Sequence, residues 1–224
     1  MESIHKGHRE RLRRRFVEYG LDSFSDIEAI ELLLFFALPR RDTNELAHSL
    51  LRVFGNFRGV MEAQLEDLMQ VEGIGENSAR LIRLTAELGR RYLIACRPVG
   101  KPIRSSKDAG EFLIPFFAYE TRELVYVMCL DSSGMVRNCR NIAHGMANKV
   151  DFSPRDVVDM AIRGNASHVI VAHNHLSGTA MPSTADISTT KKLETALAMI
   201  GVKLDDHIIV CNGDFISLKE SGCF

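Results

Sequence analysis

The fold of the second half of the chain is decided by one stretch, HNHLSGTAMPSTAD, at residues 173–186. The apolar run at residues 169–172 precedes it and predicts a short buried strand that ends at the first histidine. Because side chains alternate along a strand, His173 and His175 lie on the same side of the extended chain. Ser183 then caps a helix, and Asp186 falls in the first turn of that helix.

This arrangement predicts a metal centre at the end of the strand. Two imidazoles and one carboxylate, with a fourth position open to water, form a catalytic type of zinc site. Zinc lowers the pKa of such a water to about 7, so that hydroxide is available at neutral pH. We therefore expect His173, His175 and Asp186 to hold one Zn²⁺ per chain. The same ligands also suit iron or manganese, and the pattern from Ser183 to Asp186 is also a plain helix cap.

The composition excludes several classes of protein. The chain has 224 residues, and 28 Lys and Arg against 29 Asp and Glu give a net charge of −1, unlike a histone-like protein. Its 5 cysteines form no C-x-x-C pair, which argues against a disulfide framework and a cysteine zinc finger. The first residues are charged and lack the apolar core of a signal peptide, and no apolar run is long enough to cross a bilayer. We expect a cytoplasmic protein without a membrane partner.

The patterning predicts two domains, 1–97 and 98–224. The first domain is expected to be all helical, with a capping box from Ser25 to Glu28 and an amphipathic helix at 78–92. Two prolines and a glycine at 97–102 then predict a linker. The second domain mixes strands and helices, and we place it in the α/β (α+β) class. Its predicted strands are at 124–130, 135–142 and 169–172, with a hairpin at 202–218 and helices beginning at Pro154 and after Ser183.

A glycine pair in the first domain is typical of a helix-hairpin-helix-like element. Gly73 and Gly75 allow a tight turn, and the following helix presents free N–H groups to a phosphate. Arg80 and Arg83 could add to such a nucleic-acid contact, which would be to the DNA backbone. The alternative is a simple turn between helices, because glutamates flank the glycines and the domain has no net positive charge.

The metal-site pattern, His-x-His-x7-Ser-x2-Asp, resembles the JAMM motif of JAB/MPN metalloproteases. The stretches SPRDV from Ser153, AHNH-x-SG from Ala172 and LDDHIIV from Leu204 make the whole chain similar to the RadC family. That resemblance implies a mixed-sheet JAB/MPN domain, related to the cytidine-deaminase fold, after a small helical domain. The family usually has proline where this chain has Leu176, and proline would restrict the loop.

The resemblance also implies the remaining roles at the site. JAMM enzymes use a glutamate from an earlier strand as general base and then general acid. Glu123 is our candidate in preference to Glu120, the alternative being a solvated glutamate at a strand edge. Ser183 would bind the substrate carbonyl or the water as well as cap the helix. Because a ligating histidine usually donates its second N–H to a protein group, we expect a partner among Asp205, Asp206 and His207.

Three functions remain open from the sequence. The leading one is a zinc-dependent hydrolase, by resemblance a peptidase or isopeptidase, with an association of the family name to DNA repair. The second is a metal-dependent nuclease to which the helical domain brings DNA. The third is a DNA- or protein-binding module whose zinc is only structural. The expected partners are accordingly a peptide or isopeptide substrate and, through the helical domain, DNA.

Overall fold

The structure is a computed structural model, and it describes residues 7–144, 153–176 and 180–224. The chain divides into two compact units, Met1–Arg91 and Tyr92–Phe224. The division falls inside a helix, a few residues before the proline-rich stretch at 97–102. No helix in the described part of the chain is both long and apolar enough to cross a membrane.

The N-terminal unit is helical, as predicted. Its helices are α1 (His8–Tyr19), α2 (Asp26–Ala37), α3 (Asn44–Phe54), α4 (Phe57–Glu62), α5 (Leu65–Gln70) and the start of α6 (Glu76–Cys96). The predicted capping box is present, because the Ser25 side chain accepts from the Glu28 backbone and the Glu28 carboxylate accepts from the Ser25 N–H.

A buried carboxylate joins three helices of this unit. Glu31, on α2, is only 2% exposed. One of its oxygens lies 3.1 Å from His8 Nε2 on α1, and the other accepts a hydrogen bond of 3.1 Å from Asn44 on α3. Because a buried carboxylate is costly unless its oxygens are paired, these contacts fix the starts of α1 and α3 against the middle of α2.

The second unit is a five-stranded mixed sheet in the order β2-β1-β3-β4-β5. The strands are β1 (Leu124–Leu130), β2 (Val136–His144), β3 (His168–Asn174), β4 (Lys203–Cys211) and β5 (Asp214–Ser217). Strands β3 and β4 are parallel, β1 is antiparallel to both β2 and β3, and β4 is antiparallel to β5. The mixed α+β class expected from the sequence is therefore confirmed.

Helices cover both faces of the sheet and explain why β1 is buried along its whole length. Alternate residues of β1, such as Tyr126 and Met128, pack with α7 (Ser106–Phe117). The intervening residues, such as Val125 and Val127, pack with α8 (Pro154–Arg163) and α9 (Thr184–Ala198). A strand covered on both sides is apolar throughout rather than alternating, as the sequence LVYVMCL is. The end of β3 on the α9 side of this sheet carries the candidate site.

Candidate metal centre

The three predicted ligands meet at the carboxyl end of β3. The Nε2 atoms of His173 and His175 are 3.0 Å apart. Asp186 Oδ1 lies 3.3 Å from His173 Nε2, and Asp186 Oδ2 lies 3.6 Å from His175 Nε2. A tetrahedral zinc ion with ligand bonds of 2.0–2.1 Å places its ligand atoms about 3.3 Å from one another. The spacing of these side chains therefore fits one such ion.

The capping box of α9 aims the carboxylate of Asp186. Its Oδ2 atom accepts hydrogen bonds from Ser183 N (2.7 Å) and Ser183 Oγ (2.6 Å), and the Asp186 N–H donates to Ser183 Oγ at 3.1 Å. The cap and the metal-ligand interpretation of Asp186 are thus compatible, because Oδ1 is left to face His173. In this geometry the Ser183 hydroxyl proton points to Asp186, so the predicted bond of Ser183 to substrate requires the hydroxyl to rotate.

A chain of hydrogen bonds orients the first histidine from behind. His173 Nδ1 lies 2.9 Å from His207 Nε2, on β4, and His207 Nδ1 lies 2.6 Å from Thr190 Oγ1, on α9. The Thr190 hydroxyl donates in turn to the backbone carbonyl of Asp186 at 2.6 Å. Its oxygen must then accept from His207 Nδ1–H, so His207 Nε2 accepts from His173 Nδ1–H. The only tautomer of His173 that satisfies every bond leaves Nε2 free to bind a metal.

The electrostatics of the site favour the ligand forms of these residues. Burial, assisted by the proximity of His175, lowers the pKa of His173 to about 4, although the Asp186 carboxylate opposes the shift. Burial likewise lowers the pKa of His207 to about 3. Burial alone would raise the pKa of Asp186, but hydrogen bonds from His175 and Ser183 and the charge of His173 bring it well below its ordinary value. At neutral pH the Asp186 carboxylate therefore lies beside a neutral His173, an arrangement that suits a divalent cation.

Glu123 comes directly before β1 and lies outside the three-residue cluster. In the pairing of β1 with β3, Val125 is opposite His173. Continuing this antiparallel register by two residues places Glu123 opposite His175, on the face of the sheet that α9 covers. The side chain is half-buried. This position is compatible with a base beside the metal, and the role of Glu123 stays a prediction.

The prediction of a partner for the ligating histidine is correct for His207 and wrong for the two aspartates. A register shift after Val169 leaves Asp205 unpaired with β3, and its carboxylate lies 3.0 Å from His168 instead. Asp206 points to the opposite face from His207, and accepts from Ser217 Oγ at 2.6 Å. Thr190 was not predicted. The signal for it is its spacing of four residues from Asp186, which puts both side chains on one face of the helix.

The candidate nucleic-acid residues lie in the N-terminal unit, at the turn from α5 to α6. Gly73 has a φ of +89°, which only glycine adopts readily, and its carbonyl accepts from Arg41 at 3.2 Å. Gly75 comes two residues later, directly before α6. Arg80 forms an ion pair with Glu76 one turn earlier on α6. Arg83 donates to the Met61 carbonyl at 3.2 Å and is paired with Glu87. Both arginines therefore have a carboxylate partner on the same helix, although Glu87 is shared with Arg90, which lies closer to it at 2.8 Å.

These features define a class of protein: an α+β domain with a His-His-Asp cluster that could hold one metal ion, preceded by a helical unit. Residues 103–223 match the model of the RadC-like JAB domain, and residues 5–80 match the UPF0758 N-terminal model. The chain belongs to this RadC-like UPF0758 family.

Similar proteins from three bacteria support that assignment. A UPF0758 protein of Marinobacter nauticus is 34% identical over 213 residues, covering 95% of each chain. One of Desulforudis audaxviator is 35% identical, covering 96% of this chain and 93% of that one, and one of Fusobacterium nucleatum is 33% identical, covering 99% and 98%. The family is consistent with a metal-dependent hydrolase or a role related to DNA repair.

Proposed function

We propose that the chain is a zinc-dependent hydrolase of the JAMM type that cleaves peptide or isopeptide bonds. The observation that carries the proposal is the bond chain from Thr190 through His207 to His173, because it holds the free ring nitrogen of His173 towards His175 and Asp186. Bonds of this kind behind a ligand are a feature of functional metal sites. A surface pair of histidines would not need them.

The ligand number supports catalysis over a structural metal. Structural zinc sites are closed by four protein ligands, whereas catalytic sites use three and keep one position open. Among the described residues the cluster contains His173, His175 and Asp186. Zinc bound there would supply a water with a pKa of about 7 and a Lewis acid for a carbonyl oxygen.

Two side chains, Glu123 and Ser183, would carry out the remaining chemistry. Glu123 would accept a proton from the attacking water and return it to the leaving nitrogen, which an amine needs in order to depart. Ser183, after its hydroxyl has turned from Asp186, would donate to the carbonyl oxygen of the substrate. A single carboxylate and a single metal suffice for an amide, whereas many enzymes that cleave phosphodiesters use two metals 3.5–4 Å apart. This difference favours a peptide or isopeptide substrate over DNA.

The first test is metal content. Elemental analysis of the purified protein is expected to give roughly one zinc per chain, and His175→Ala is expected to give little. A folded wild-type protein that neither contains zinc nor takes it up would refute the metal centre.

The second test is cleavage. Peptide and isopeptide libraries are incubated with the zinc-loaded protein, with a chelator, and with zinc restored. Cleavage that the chelator abolishes and zinc restores is expected. Nicked, branched and single-stranded DNA are tested in parallel, and DNA cleavage that is lost in His175→Ala would replace the peptidase proposal with a nuclease.

A further inference from the structure

The asparagine between the two histidines, Asn174, forms side-chain hydrogen bonds to a neighbouring strand. Asn174 is 5% exposed, and its side-chain amide contacts the backbone at the start of β1. Its Oδ1 accepts a hydrogen bond of 2.7 Å from the N–H of Leu124. Its Nδ2 donates to the carbonyl of Arg122 at 3.0 Å. The amide therefore holds the chain on both sides of Glu123.

The orientation of this amide is fixed by its partners. A backbone N–H can only donate and a backbone carbonyl can only accept, so Oδ1 must face Leu124 and Nδ2 must face Arg122. Among side chains of this length, only asparagine offers a donor and an acceptor in one rigid plane. Aspartate keeps the acceptor and loses the donor, and alanine loses both.

These contacts connect the metal ligands to the candidate base. Asn174 stands between His173 and His175 on one strand, and the backbone N–H of His175 is itself bonded to the carbonyl of Val210 on β4 at 2.9 Å. The ligands are thus fixed by β4, and the residue before β1 is fixed by Asn174. Catalytic groups have to be held to within about 0.5 Å of their working geometry by such supporting bonds.

We propose that Asn174 is a positioning residue that holds Glu123 at the metal centre. This inference rests on the proposed function, because Glu123 acts as a base only if a metal is bound. Asn174 itself touches neither the ligand atoms nor a substrate. Its loss is expected to leave metal binding intact and to displace the base.

The test uses acetohydroxamate, a small chelating probe. A hydroxamic acid gives up a proton as it binds a metal, and a neighbouring carboxylate that accepts this proton strengthens the complex. Acetohydroxamate affinity is measured by calorimetry on the zinc-loaded full chain, for the wild type, Glu123→Gln, Asn174→Asp and the double variant. Zinc affinity is measured separately by competition with a chromophoric chelator. Asn138→Asp, which adds the same charge on β2 opposite Cys129, is the matched control.

Glu123→Gln and Asn174→Asp are each expected to weaken acetohydroxamate by about tenfold, the effect of one charge-assisted hydrogen bond, with zinc affinity in Asn174→Asp no lower than in the wild type because the added carboxylate attracts the cation. The double variant is expected to lose no more than either single variant. Asn138→Asp is expected to bind the probe as the wild type does.

Wild-type probe affinity in Asn174→Asp, or a full additional loss in the double variant, would overturn the inference. Unchanged probe affinity in Glu123→Gln, with zinc bound, would show that Glu123 is not the base while the metal centre stands. A wild-type protein that binds no zinc would instead refute the proposed function, and the inference with it.

Hydrogen exchange tests the bonds of Asn174 to the backbone around Glu123, and it needs neither a probe nor a metal. The amide of Leu124 is expected to exchange at least about tenfold faster in Asn174→Ala than in the wild type, because its acceptor is gone. Unchanged exchange at Leu124 in the folded variant would show that the Asn174 amide does not hold this backbone. If Asn174→Ala does not fold, the same comparison is made with Asn174→Leu, which fills a similar volume and likewise has no acceptor for the Leu124 N–H.

Discussion

Replacing Thr190 with valine removes one hydroxyl from the bond chain behind the metal centre and keeps the shape of the side chain. Thr190 is fully buried, and His207 is 1% exposed, so no bulk water takes the place of the lost oxygen. The Nδ1–H of His207, now 2.6 Å from its acceptor, is left unpaired. An orphaned buried donor costs about 1–3 kcal/mol, which is the expected loss in the free energy of unfolding of the metal-free protein.

The same change is expected to weaken zinc binding. His207 can escape the unpaired donor by moving its proton to Nε2, but it then no longer accepts from His173 Nδ1–H. His173 would have to place its own proton on Nε2, the atom that faces the other ligands. Loss of a bond behind a ligand costs about 10- to 100-fold in metal affinity, which is the expected effect.

Chelator competition gives the zinc affinity, and urea unfolding of the metal-free protein gives its stability. Thr190→Ser is the matched control, since it keeps the hydroxyl and loses a methyl group. It is expected to retain zinc affinity within a few-fold and to lose about 1 kcal/mol of stability. Wild-type zinc affinity in Thr190→Val, or an equal loss in Thr190→Ser, would refute the tautomer argument.

Three further outcomes are expected. Because the folded-state pKa values of His173 and His207 are about 4 and about 3, below the ordinary 6.5, the unfolded metal-free protein takes up these protons first, and stability falls as pH drops from about 6.5 towards 4. Each histidine contributes about 1.4 kcal/mol per pH unit in that range, and a flat urea-unfolding profile would exclude the shifts. Ser183→Ala is expected to cost about 1 kcal/mol in urea unfolding and to weaken zinc binding, since Asp186 loses a donor that orients it; unchanged zinc affinity would show that the cap does not aim the carboxylate. Glu31→Ala is expected to destabilise the N-terminal unit by about 1–3 kcal/mol in thermal unfolding while leaving zinc affinity unchanged, and a wild-type melting curve would mean that its bonds to α1 and α3 contribute nothing net.

The elements that could be predicted are those with local signals. Alternation along β3 and the cap at Ser183 brought His173, His175 and Asp186 together from sequence alone, because both signals are short-range. The bounds of β1 and of the final hairpin follow from apolar runs and an Asn-Gly turn.

Helix α7 was not predicted, although the Ser105 side chain caps its start by accepting from the Asp108 N–H. It contains Gly110 and, near its end, Pro115, both of which lower helix propensity. The structure gives the reason for the glycine: a Cβ atom there would lie 2.3 Å from the ring of Phe215, so the helix approaches the sheet only without a side chain. This long-range packing requirement is not visible in a local pattern.

The partners behind the ligands depend on the register of β3 against β4, which no local sequence pattern reveals. A single shift in the pairing of β3 with β4 decides that His207, and neither aspartate, faces His173. Thr190 on α9 can bond to His207 only because β4 lies beside α9 in the folded structure. Both are consequences of how two distant segments align.

The placement of the ligands within one β3-α9-β4 segment has a consequence for how this protein can change. The candidate ligands and the hydrogen bonds described behind them lie between residues 168 and 211, whereas Glu123, the proposed base, comes before β1, and its flanking backbone bonds to the amide of Asn174. On the proposed function, metal binding and catalysis therefore depend on separate segments of the chain. A descendant could lose Asn174 or Glu123 and persist as a metal-stabilised binding domain, with its fold and its ligands unaltered.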